Sequence, residues 1–456
     1  MSAQNVVVVG VARSGVAAAL LLAARGARVT LTDVRTDLDD LSVEPVLRRA
    51  GITLELGGHR TETFTGADLI VLSPGVPLQQ SQVAAARRSG VPVLGEIELA
   101  SRWLSGRIVA ITGTKGKSTA TTLTGRMFQA GGFNALVGGN IGTPLSSQVN
   151  ESTPETFHIV EVSSFQLETT HTFHPWIAVL LNFSPDHLDR HASVDEYGAA
   201  KSRIFANQTE RDWAVINADD PDALALARRG RAQRLLFAID GQLDEGVFVK
   251  AGSVLQRRDG EETHLFPLSS VRLIGRHLVS DVLAAAAVAR IAGVSADAMV
   301  RAVESFTGLE HALEPAGAVR GVSFINDSKA TNIEAARRAI ESFDRDLVVI
   351  LGGRFKGGDL GRLSAPLAAR RAAVVAIGEA QPLIHTALQG AVDVHDAASM
   401  AAAVRLAFTL APPSGTVLLA PACASFDMFR DYAERGRVFK EAVRRLAEET
   451  SPAREQ

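Results

Sequence analysis

The chain has 456 residues, of which 46% are apolar and 21% charged, with 39 Gly and 17 Pro. This length predicts about three domains, and the composition is that of a folded globular protein, which excludes disorder, collagen and a coiled-coil rod. The 47 basic residues nearly balance the 50 acidic ones, giving a net charge of −3, so no overall charge attracts the chain to nucleic acid or to an anionic membrane.

The cysteine content and the length of the apolar runs indicate the cellular compartment in which the protein is expected. Cys423 is the single cysteine, so an intrachain disulfide and a thiolate zinc site are both excluded. The longest apolar run, residues 16–24, has about half the length that a transmembrane helix requires, and the first residues lack the regions of a signal peptide. We therefore expect a cytoplasmic protein that has neither a membrane nor a nucleic acid as partner.

Short β-branched runs, each followed at once by Gly, Pro or Ser, predict buried parallel strands that open into loops. They cover residues 6–9, 70–72, 108–112, 159–162, 179–181, 347–351, 374–377 and 417–420. Ala- and Leu-rich stretches between them predict helices over residues 15–25, 119–130, 281–292 and 333–343. Strand and helix alternate, so the predicted class is α/β with mainly parallel sheets.

Domain boundaries are expected where this pattern changes. The segment around Gly95 precedes a new strand, and residues 305–317 interrupt a helix before another strand begins. A stretch richer in Gly and charge, residues 237–270, predicts a β-rich insertion. The predicted domains cover residues 1–95, 96–305 and 306–456. In open α/β sheets ligands bind beyond the carboxyl ends of the strands, so the functional residues are expected in the loops there.

The first such loop is the turn Gly10-Val-Ala-Arg-Ser-Gly15, between a strand and a helix. It resembles a dinucleotide-binding fingerprint in which Ala12 replaces the middle Gly, the residue that lets the backbone approach a pyrophosphate closely. Ala12 therefore weakens a nicotinamide site, and an ordinary strand-turn-helix crossing without ligand explains the stretch about as well. Candidate contacts to a diphosphate and a nucleoside are Arg13, Ser14, Asp33 and Arg35.

The strongest local signal is Ile108-Val-Ala-Ile-Thr-Gly-Thr-Lys-Gly-Lys-Ser-Thr119, a strand that enters a Gly-rich loop and then a helix. Backbone N–H groups of such a loop bind phosphates, its last Lys neutralises the β- and γ-oxygens, and the following hydroxyl can bind Mg²⁺. Ile111 stands where the usual P-loop has its first Gly, so the match is to a shortened P-loop. The residues predicted to bind the nucleotide are Gly113, Thr114, Lys115, Gly116, Lys117, Ser118 and Thr119.

Two neighbouring strand ends also carry polar side chains. Glu161 lies where a second carboxylate could hold Mg²⁺ beside the P-loop, although a Glu that ends a strand is more often solvated or paired. The next strand leads into residues 182–191, which contain two His, two Asp and an Arg. This density favours metal or phosphate chemistry at His187, whereas His191 is interpreted as structural.

Three polar clusters are expected to converge in the last third of the chain. Asn326-Asp-Ser-Lys-Ala-Thr-Asn332 precedes a helix and suits an anionic ligand, although its residue types are also the preferred helix caps. The other two clusters, residues 352–359 and 421–427, follow later strands of the same sheet. Cys423, flanked by Ala, is interpreted as a small buried side chain rather than a nucleophile.

Together these segments resemble the Mur ligases. The resemblance spans nearly the whole chain, in the family's order, and the last third is similar to the D-glutamate-adding branch of the family. It implies a Rossmann-like N-terminal domain for a UDP-substrate, a central P-loop ATPase and a C-terminal Rossmann-like domain for an amino acid. The motifs that carry it are residues 113–119, 161–170, 184–190, 197–201, 326–332 and 421–427.

The resemblance implies an ATP-dependent ligase that joins D-glutamate to UDP-N-acetylmuramoyl-L-alanine in cytoplasmic peptidoglycan precursor synthesis. The γ-phosphoryl group would pass to the alanine carboxylate, and the D-glutamate amine would displace phosphate from the acyl phosphate. The implied cofactors are ATP and Mg²⁺ at two sites, and a monomer is expected. The implied catalytic residues are Lys117, His187 and Lys201.

The same resemblance assigns the binding residues. The first Mg²⁺ would be held by Ser118 and Glu161, and the second by His187 and Lys201. Lys201 would act as a carbamate, because an ammonium group has donors only. Asp327 would contact the ATP ribose or the metal. The UDP-substrate would contact Arg13, Ser14, Asp33, Arg35, Ser73, Gly75, Asn140 and His187. D-Glutamate would contact Lys329, Thr331, Lys356, Ser425 and Tyr432.

Two departures from the family pattern qualify this assignment. The family carries an Arg that reaches the γ-phosphate where this chain has Ala312, so either Arg276 or Arg320 substitutes or turnover is reduced. Leu278 and Asp281 stand where Asn is expected near the adenine.

Two other functions remain open. A sibling ligase of the folylpolyglutamate synthase type would share the P-loop but lack a UDP-type N-terminal domain. A non-catalytic nucleotide-binding regulator is compatible with Ala312.

Overall fold

The computed structural model describes residues 3–36, 43–187, 190–228, 230–273 and 275–450, without the side chains of residues 276 and 277. Residues 1–271 and 277–305 form one compact unit, and residues 272–276 and 306–456 form a second. Among these described residues, the first unit contains two sheets and the second unit contains one.

The N-terminal sheet is parallel, with strand order β3-β2-β1-β4-β5. Its strands are β1 (Asn5–Val9), β2 (Arg28–Asp33), β3 (Thr53–Leu56), β4 (Leu69–Leu72) and β5 (Val93–Gly95). Its helices are α1 (Arg13–Ala24), α2 (Glu44–Arg49), α3 (Thr61–Thr65), α4 (Ser81–Arg88) and α5 (Glu96–Ser101). β1 and β4 carry almost unbroken apolar runs because apolar residues pack against both of their faces.

The central sheet has the order β14-β13-β12-β11-β10-β9-β6-β8-β7. Its parallel strands are β6 (Arg107–Thr112), β7 (Ala135–Gly139), β8 (Phe157–Glu161), β9 (Ile177–Leu180), β10 (Trp213–Asn217), β11 (Gln233–Ala238) and β12 (Gly246–Lys250). β13 (Ser253–Arg258) and β14 (Glu261–Pro267) continue it as an antiparallel meander. The β-rich stretch predicted over residues 237–270 is thus confirmed, and it extends the parallel sheet at one edge.

Helices and short 3₁₀ turns flank the central sheet. The helices are α6 (Lys117–Ala130), α7 (Ser164–Leu167), α8 (Val194–Ser202), α9 (Pro221–Leu226), α10 (Arg276–Ile291) and α11 (Ala296–Ser305). The 3₁₀ turns are Leu145–Glu151, Arg203–Phe205 and Leu268–Ser270.

The two sheets of the first unit share a core. Leu21 of α1 packs in the same apolar cluster as Ile97 and Ala100 of α5 and as Leu145 and Val149 of the first 3₁₀ turn. The buried carboxylate of Glu98 on α5 accepts hydrogen bonds from the backbone N–H groups of residues 171–173. The segment after β5 is therefore bonded into both sheets.

The second unit is built on a six-stranded sheet with the order β15-β16-β20-β17-β18-β19, in which only the β15–β16 pair is antiparallel. The strands are β15 (Glu314–Val319), β16 (Val322–Asn326), β17 (Leu347–Gly352), β18 (Ala373–Ile377), β19 (Val394–Asp396) and β20 (Thr416–Leu419). The helices are α12 (Ile333–Glu341), α13 (Ser364–Ala369), α14 (Gln381–Leu388), α15 (Met400–Leu410) and α16 (Tyr432–Thr450), with a 3₁₀ turn at Leu360–Leu363.

The predicted α/β class with mainly parallel sheets is confirmed, and each predicted strand and helix is present with small shifts at its ends. The largest shift is in α10, which begins at Arg276 rather than near Asp281. None of the described helices is both long and apolar enough to cross a bilayer.

Candidate active site

The P-loop connects β6 to α6 in a conformation that needs glycine. Gly116 has φ +83°, and a Cβ atom at this position would lie 2.1 Å from Oδ1 of the Asp281 side chain. Any other residue would clash there, so Gly116 lets the loop turn tightly against α10. The first helical residue after it is Lys117, which places the predicted phosphate-binding groups at the N-terminus of α6.

Asn182, at the end of the neighbouring strand β9, clamps the P-loop. Its Oδ1 accepts hydrogen bonds from the backbone N–H groups of Thr114 (3.0 Å) and Lys115 (2.9 Å). Its Nδ2 donates to the carbonyl oxygen of Lys115 at 3.1 Å. Asn182 is not among the site residues predicted from the sequence, although its place after a buried strand is the signal that could have identified it.

Three lysines surround the P-loop. Lys115 Nζ lies 3.0 Å from Oδ2 of Asp186. Lys117 Nζ donates to the carbonyl oxygens of Gly113 (3.0 Å) and Thr114 (3.1 Å), and Lys201 Nζ donates to that of Gly113 at 2.7 Å. The three lysine side chains therefore converge on the loop predicted to bind a nucleotide.

Lys201 lies in an environment that disfavours its charged form. It is 1% exposed, and its Nζ lies 4.7 Å from the ring centroid of Tyr197. Burial, together with the nearby Lys117 ammonium, holds the pKa of Lys201 well below its usual range. The Tyr197 hydroxyl lies 3.2 Å from Thr114 Oγ1, and burial raises the pKa of Tyr197 to about 12.

Ser118 and Glu161 form an oxygen pair beside the P-loop. Ser118 Oγ donates to Glu161 Oε2 at 2.6 Å, and Asn140 Nδ2 donates to Oε1 of the same carboxylate at 2.8 Å. Glu161 is 2% exposed. Ser118 and Glu161, assigned by the resemblance to the first metal, are thus brought together with Asn140, assigned to the UDP-substrate. Thr119 is buried in the first turn of α6.

His187 and His191 have different surroundings. His187 is exposed in a loop with φ +55°, and its ring contacts Phe165 (centroids 5.1 Å apart) and Tyr197 (6.0 Å). Although the residue as a whole is exposed, its ring is partly desolvated against these two aromatic side chains, and this desolvation lowers the pKa of His187 below its ordinary value. Lys117 lowers it further, while Asp186 opposes the shift. His191 is buried, and its ring nitrogens lie 3.0 Å from Ser164 Oγ and 3.2 Å from Glu168. These contacts fit the structural interpretation of His191; Leu188 and Asp189 of this motif lie outside the described residues.

Leu278 and Asp281, the α10 residues that stand where Asn is expected, have different surroundings. Leu278 is buried and apolar, whereas Asp281 is 2% exposed and its Oδ2 has no hydrogen-bond partner among the described residues. Burial raises the pKa of Asp281 to about 8, so the side chain is mainly protonated at neutral pH.

The turn after β1 is held by Asp33. Its Oδ2 accepts from the backbone N–H of Val11 at 2.9 Å, and its Oδ1 from that of Arg35 at 2.9 Å. Burial would raise the pKa of Asp33, but these hydrogen bonds and the Arg35 guanidinium outweigh it and place the pKa below its ordinary value. A Cβ at Gly15 would lie 1.8 Å from the carbonyl oxygen of Gly10, so α1 approaches the turn at a distance that only glycine permits.

The remaining residues assigned to the UDP-substrate lie around this turn. Ser73 Oγ donates to the carbonyl oxygen of Gly10 at 3.3 Å, and Ser14 is partly exposed in the first turn of α1. Arg13 Nη1 donates to the carbonyl oxygen of Gly142 at 3.1 Å. Arg190, which was not selected from the sequence, donates to the carbonyl oxygens of Gly75 (3.1 Å) and Val76 (2.9 Å).

In the second unit, the loops at the carboxyl ends of β16, β17 and β20 lie close together. The backbone N–H of Ala422 donates to the carbonyl oxygen of Ala330 at 2.9 Å, and Lys356 Nζ lies 3.4 Å from Thr331 Oγ1. Ser425 is buried, whereas Lys329 is exposed at the edge of the same loops. Tyr432 is 40% exposed, and its backbone carbonyl accepts from Ser328 Oγ at 2.7 Å.

Asp327 and Cys423 are buried beside these loops. Oδ1 of Asp327 accepts from the backbone N–H of Leu313 at 3.1 Å, and burial raises the pKa of Asp327 to about 7. Burial raises the pKa of the Cys423 thiol to about 11, so a thiolate is disfavoured and the interpretation as a small buried side chain fits.

The surroundings of Arg320 do not support the expectation that it substitutes for the arginine expected at position 312. Ala312 is partly exposed between two residues with positive φ, His311 (+65°) and Leu313 (+46°). Arg320 precedes β16, at the opposite end of the strand from Asn326, and its guanidinium donates to the carbonyl oxygen of Thr450. The side chain of Arg276, the other candidate, lies outside the described residues.

In the described part of the chain no three His, Cys, Asp or Glu side chains converge as a ready-made metal site. A cation at the P-loop would therefore need oxygens from elsewhere, such as Ser118 and the phosphates of a nucleotide.

Three family models match the chain in sequence. The model of the Mur ligase MurD-like N-terminal domain matches residues 4–95, that of the Mur ligase middle domain residues 111–289, and that of the Mur ligase glutamate ligase domain residues 313–423.

Solved structures share the fold at low identity. The chain superposes on MurC, the UDP-N-acetylmuramate-alanine ligase of Thermotoga maritima, with a TM-score of 0.60 and 18% identity, covering 97% of this chain and 99% of that one. A MurF ligase of Thermotoga maritima, solved in complex with ADP, gives a TM-score of 0.59 at 17% identity and covers 84% of this chain and 96% of that one.

Curated relatives are much closer in sequence. The UDP-N-acetylmuramoylalanine–D-glutamate ligase of Acidobacterium capsulatum is 47% identical over 446 residues, which cover 97% of this chain and 96% of the relative. The enzyme of the same name from Koribacter versatilis is 44% identical over 446 residues, which cover 98% of this chain and 98% of that relative. With a P-loop flanked by three lysines, and with relatives this similar over their full length, the chain belongs to the Mur ligase family of ATP-dependent, amide-forming enzymes.

Proposed function

We propose that the chain joins D-glutamate to UDP-N-acetylmuramoyl-L-alanine, with hydrolysis of ATP to ADP and phosphate, in the cytoplasm and as a monomer. The observation that carries the proposal is the convergence of Lys115, Lys117 and Lys201 on a P-loop that lies beside the Ser118–Glu161 pair. The full-length similarity to enzymes named for this reaction supports the choice of substrates.

In this proposal each of the three predicted domains binds one substrate. Residues 1–95 would bind the UDP part, residues 96–305 ATP, and residues 306–456 the amino acid. The intact hydrogen-bond frame around Asp33 and the absence of a middle Gly at Ala12 support a UDP-sugar over a nicotinamide dinucleotide. The predicted UDP and D-glutamate contacts and the assignment of Asp327 to ATP remain predictions.

Amide formation from a carboxylate and an ammonium ion needs an activated acyl group. We infer that the alanine carboxylate oxygen attacks the γ-phosphorus as the bond to the β-phosphate oxygen breaks and ADP leaves. The neutral D-glutamate amine then attacks the acyl carbon, the C–O bond to phosphate breaks, and the amine loses its proton. Lys117 would neutralise the charge that develops on the transferred phosphoryl group, and Asn182 would keep the P-loop N–H groups in position.

The side chains present fit one Mg²⁺ directly. Ser118 Oγ and Glu161 Oε2 are adjacent oxygen donors, and a single carboxylate plus a hydroxyl and substrate phosphates is a common Mg²⁺ environment. Such an ion would neutralise phosphate charge during transfer.

A second Mg²⁺ at His187 and Lys201 fits only if Lys201 is carbamylated. The ammonium form offers no lone pair, but the lowered pKa of Lys201 increases the neutral amine, which is the form that reacts with CO₂. Two metal ions, held by Ser118, Glu161, His187 and carbamylated Lys201, are therefore part of the proposal.

Phosphate release from ATP tests the proposed function. With UDP-N-acetylmuramoyl-L-alanine present, release should depend on added D-glutamate and should not respond to L-glutamate. Release with a folate acceptor and L-glutamate instead would favour a folylpolyglutamate synthase type of ligase. Nucleotide binding without turnover of any acceptor would favour a regulator.

A further inference from the structure

The guanidinium group of Arg435, in the first turn of α16, is completely buried in the second unit. Its Nε donates to Ser328 Oγ at 2.9 Å, its Nη2 to the carbonyl oxygen of Ser328 at 2.9 Å, and its Nη1 to that of Cys423 at 3.1 Å. Burial lowers the pKa of Arg435 to about 10, which still leaves the group charged at neutral pH.

Within the described part of the chain, this buried cation has no anionic partner in direct contact. Its three hydrogen bonds all end on neutral oxygens, and no carboxylate among the described residues forms an ion pair with it. Asp427 attracts it only from a greater distance. Buried charges are normally paired, because leaving one unpaired is costly, so an unpaired guanidinium here calls for an explanation.

The two loops that Arg435 joins are those that carry the predicted amino-acid contacts. Ser328 directly precedes Lys329, and Cys423 lies two residues before Ser425. The same two loops are also tied by the hydrogen bond from Ala422 to Ala330. A planar guanidinium with several donors fixes the distance and orientation between two chain segments, which the single ammonium of a lysine does less well.

We propose that Arg435 is a positioning residue for the amino-acid substrate. It holds the loops 326–332 and 421–427 at the spacing that a dicarboxylic amino acid requires, and its unpaired charge attracts the carboxylates of that ligand. The inference rests on the proposed function, because it takes D-glutamate as the ligand of these loops.

The test measures the KM of each of the three substrates in four variants. Arg435→Met should raise the KM for D-glutamate by about tenfold or more, and leave the KM values for ATP and the UDP-substrate within about twofold. Arg435→Lys, which keeps the charge, should restore part of the loss. Ser328→Ala, which removes one acceptor, should raise the same KM less. Arg437→Met, on the exposed side of α16, is the matched control and should behave as the wild type.

A purely structural Arg435 would lower the thermal unfolding midpoint and the amount of active enzyme without a selective change in the KM for D-glutamate, and that result would overturn the proposal. If Arg435→Met does not fold, a normal KM for D-glutamate in both Arg435→Lys and Ser328→Ala would overturn it equally. The wild-type enzyme is assayed first, so a lack of D-glutamate dependence there refutes the proposed function separately from the role of Arg435.

Discussion

Two glycine-rich turns of the first unit connect a parallel strand to a helix, one after β1 and one after β6, and a buried carboxylate lies behind each. Behind the first turn, Asp33 accepts two backbone hydrogen bonds. Behind the P-loop, Asp281 lies against Gly116, and its Oδ2 has no partner among the described residues. The turns also differ in their basic side chains, since Lys115, Lys117 and Lys201 lie at the P-loop. At the first turn, Arg13 binds the carbonyl oxygen of Gly142 and Arg35 forms an ion pair with Asp33.

The difference shows that the strand-turn-helix backbone provides only a general anion site, and that side chains from neighbouring strands determine its chemistry. Asp33 accepts hydrogen bonds from the backbone N–H groups of Val11 and Arg35, and so stabilises the turn after β1 that is proposed to bind the UDP-substrate. At the P-loop, Lys117 adds the positive charge that stabilises phosphoryl transfer. Substitutions in the two turns should therefore change different kinetic parameters.

The largest effect is expected for Lys117→Met, which removes the cation at the start of α6. Its kcat should fall by about 10²–10³-fold, because the stabilisation of developing phosphoryl charge is lost. Arg13→Ala, the counterpart in the first turn, should mainly raise the KM for the UDP-substrate. Steady-state kinetics with each substrate varied in turn measures both. If the two variants changed the same parameter, the proposed distinction between the turns would be wrong.

Lys201→Ala tests the proposed carbamate. Its activity should fall by about a hundredfold and should be partly restored by short carboxylic acids, which can place a carboxylate in the vacated space. Bicarbonate should rescue in the same way. Lys250 on β12, which is partly exposed and paired with Glu262, provides the control Lys250→Ala, which should keep full activity and show no rescue. Full activity in Lys201→Ala would eliminate the carbamate role.

Replacement of Asp281 and replacement of Asp33 should have opposite effects on the stability of the fold. The folded pKa of Asp281, about 8, exceeds its ordinary value of 3.8, so wild-type stability is lost as pH rises between these values, by up to about 1.4 kcal/mol per pH unit. Asp281→Asn should therefore raise the thermal midpoint, increasingly so from pH 6 to pH 8. The pKa of Asp33 is lowered, so its contribution is present at neutral pH, and Asp33→Asn should lower the midpoint.

Thermal unfolding of both variants at pH 6, 7 and 8 checks these signs. Stabilisation of the wild type relative to Asp281→Asn at pH 8 would contradict the interpretation of this carboxyl group as buried and without a hydrogen-bond partner for Oδ2 among the described residues.

The smallest effect is expected for Ala312→Arg. It introduces the cation that the resemblance to the family places at this position and should raise kcat by about a few-fold, measured as phosphate release at saturating substrates. Ala318→Arg, on an exposed residue of β15, is the control for an added charge in the second unit and should have no effect. An unchanged or lower kcat in Ala312→Arg would count against the placement of the missing arginine.

The sequence predicted the strands well because parallel strands buried on both faces are continuous β-branched runs with a Gly, Pro or Ser directly after them. It also predicted the turn between β6 and α6, because that turn is one continuous segment of the chain; the binding of a nucleotide by its residues stays a prediction. It did not select Asn182 or Arg435. Each is a common residue type whose role arises from contacts with distant loops, at Thr114 and Lys115 in one case and at Ser328 and Cys423 in the other.

Asp281 shows another limit of sequence reasoning. Its place in a motif raised the question of adenine binding, but burial against Gly116 and the absence of a partner for its Oδ2 among the described residues depend on how α10 packs on the P-loop. Burial and hydrogen bonding determine such a pKa, and no local pattern encodes them.

The packing of Leu21 with Ile97, Ala100, Leu145 and Val149 has a consequence for chimaeric enzymes. A graft that exchanges only residues 1–95 with those of a relative would place a foreign α1 on a surface shaped for this one. Grafts that also carry residues 96–101 and 145–151 should be soluble more often, because they transfer α1 together with the helix and the 3₁₀ turn that pack against it.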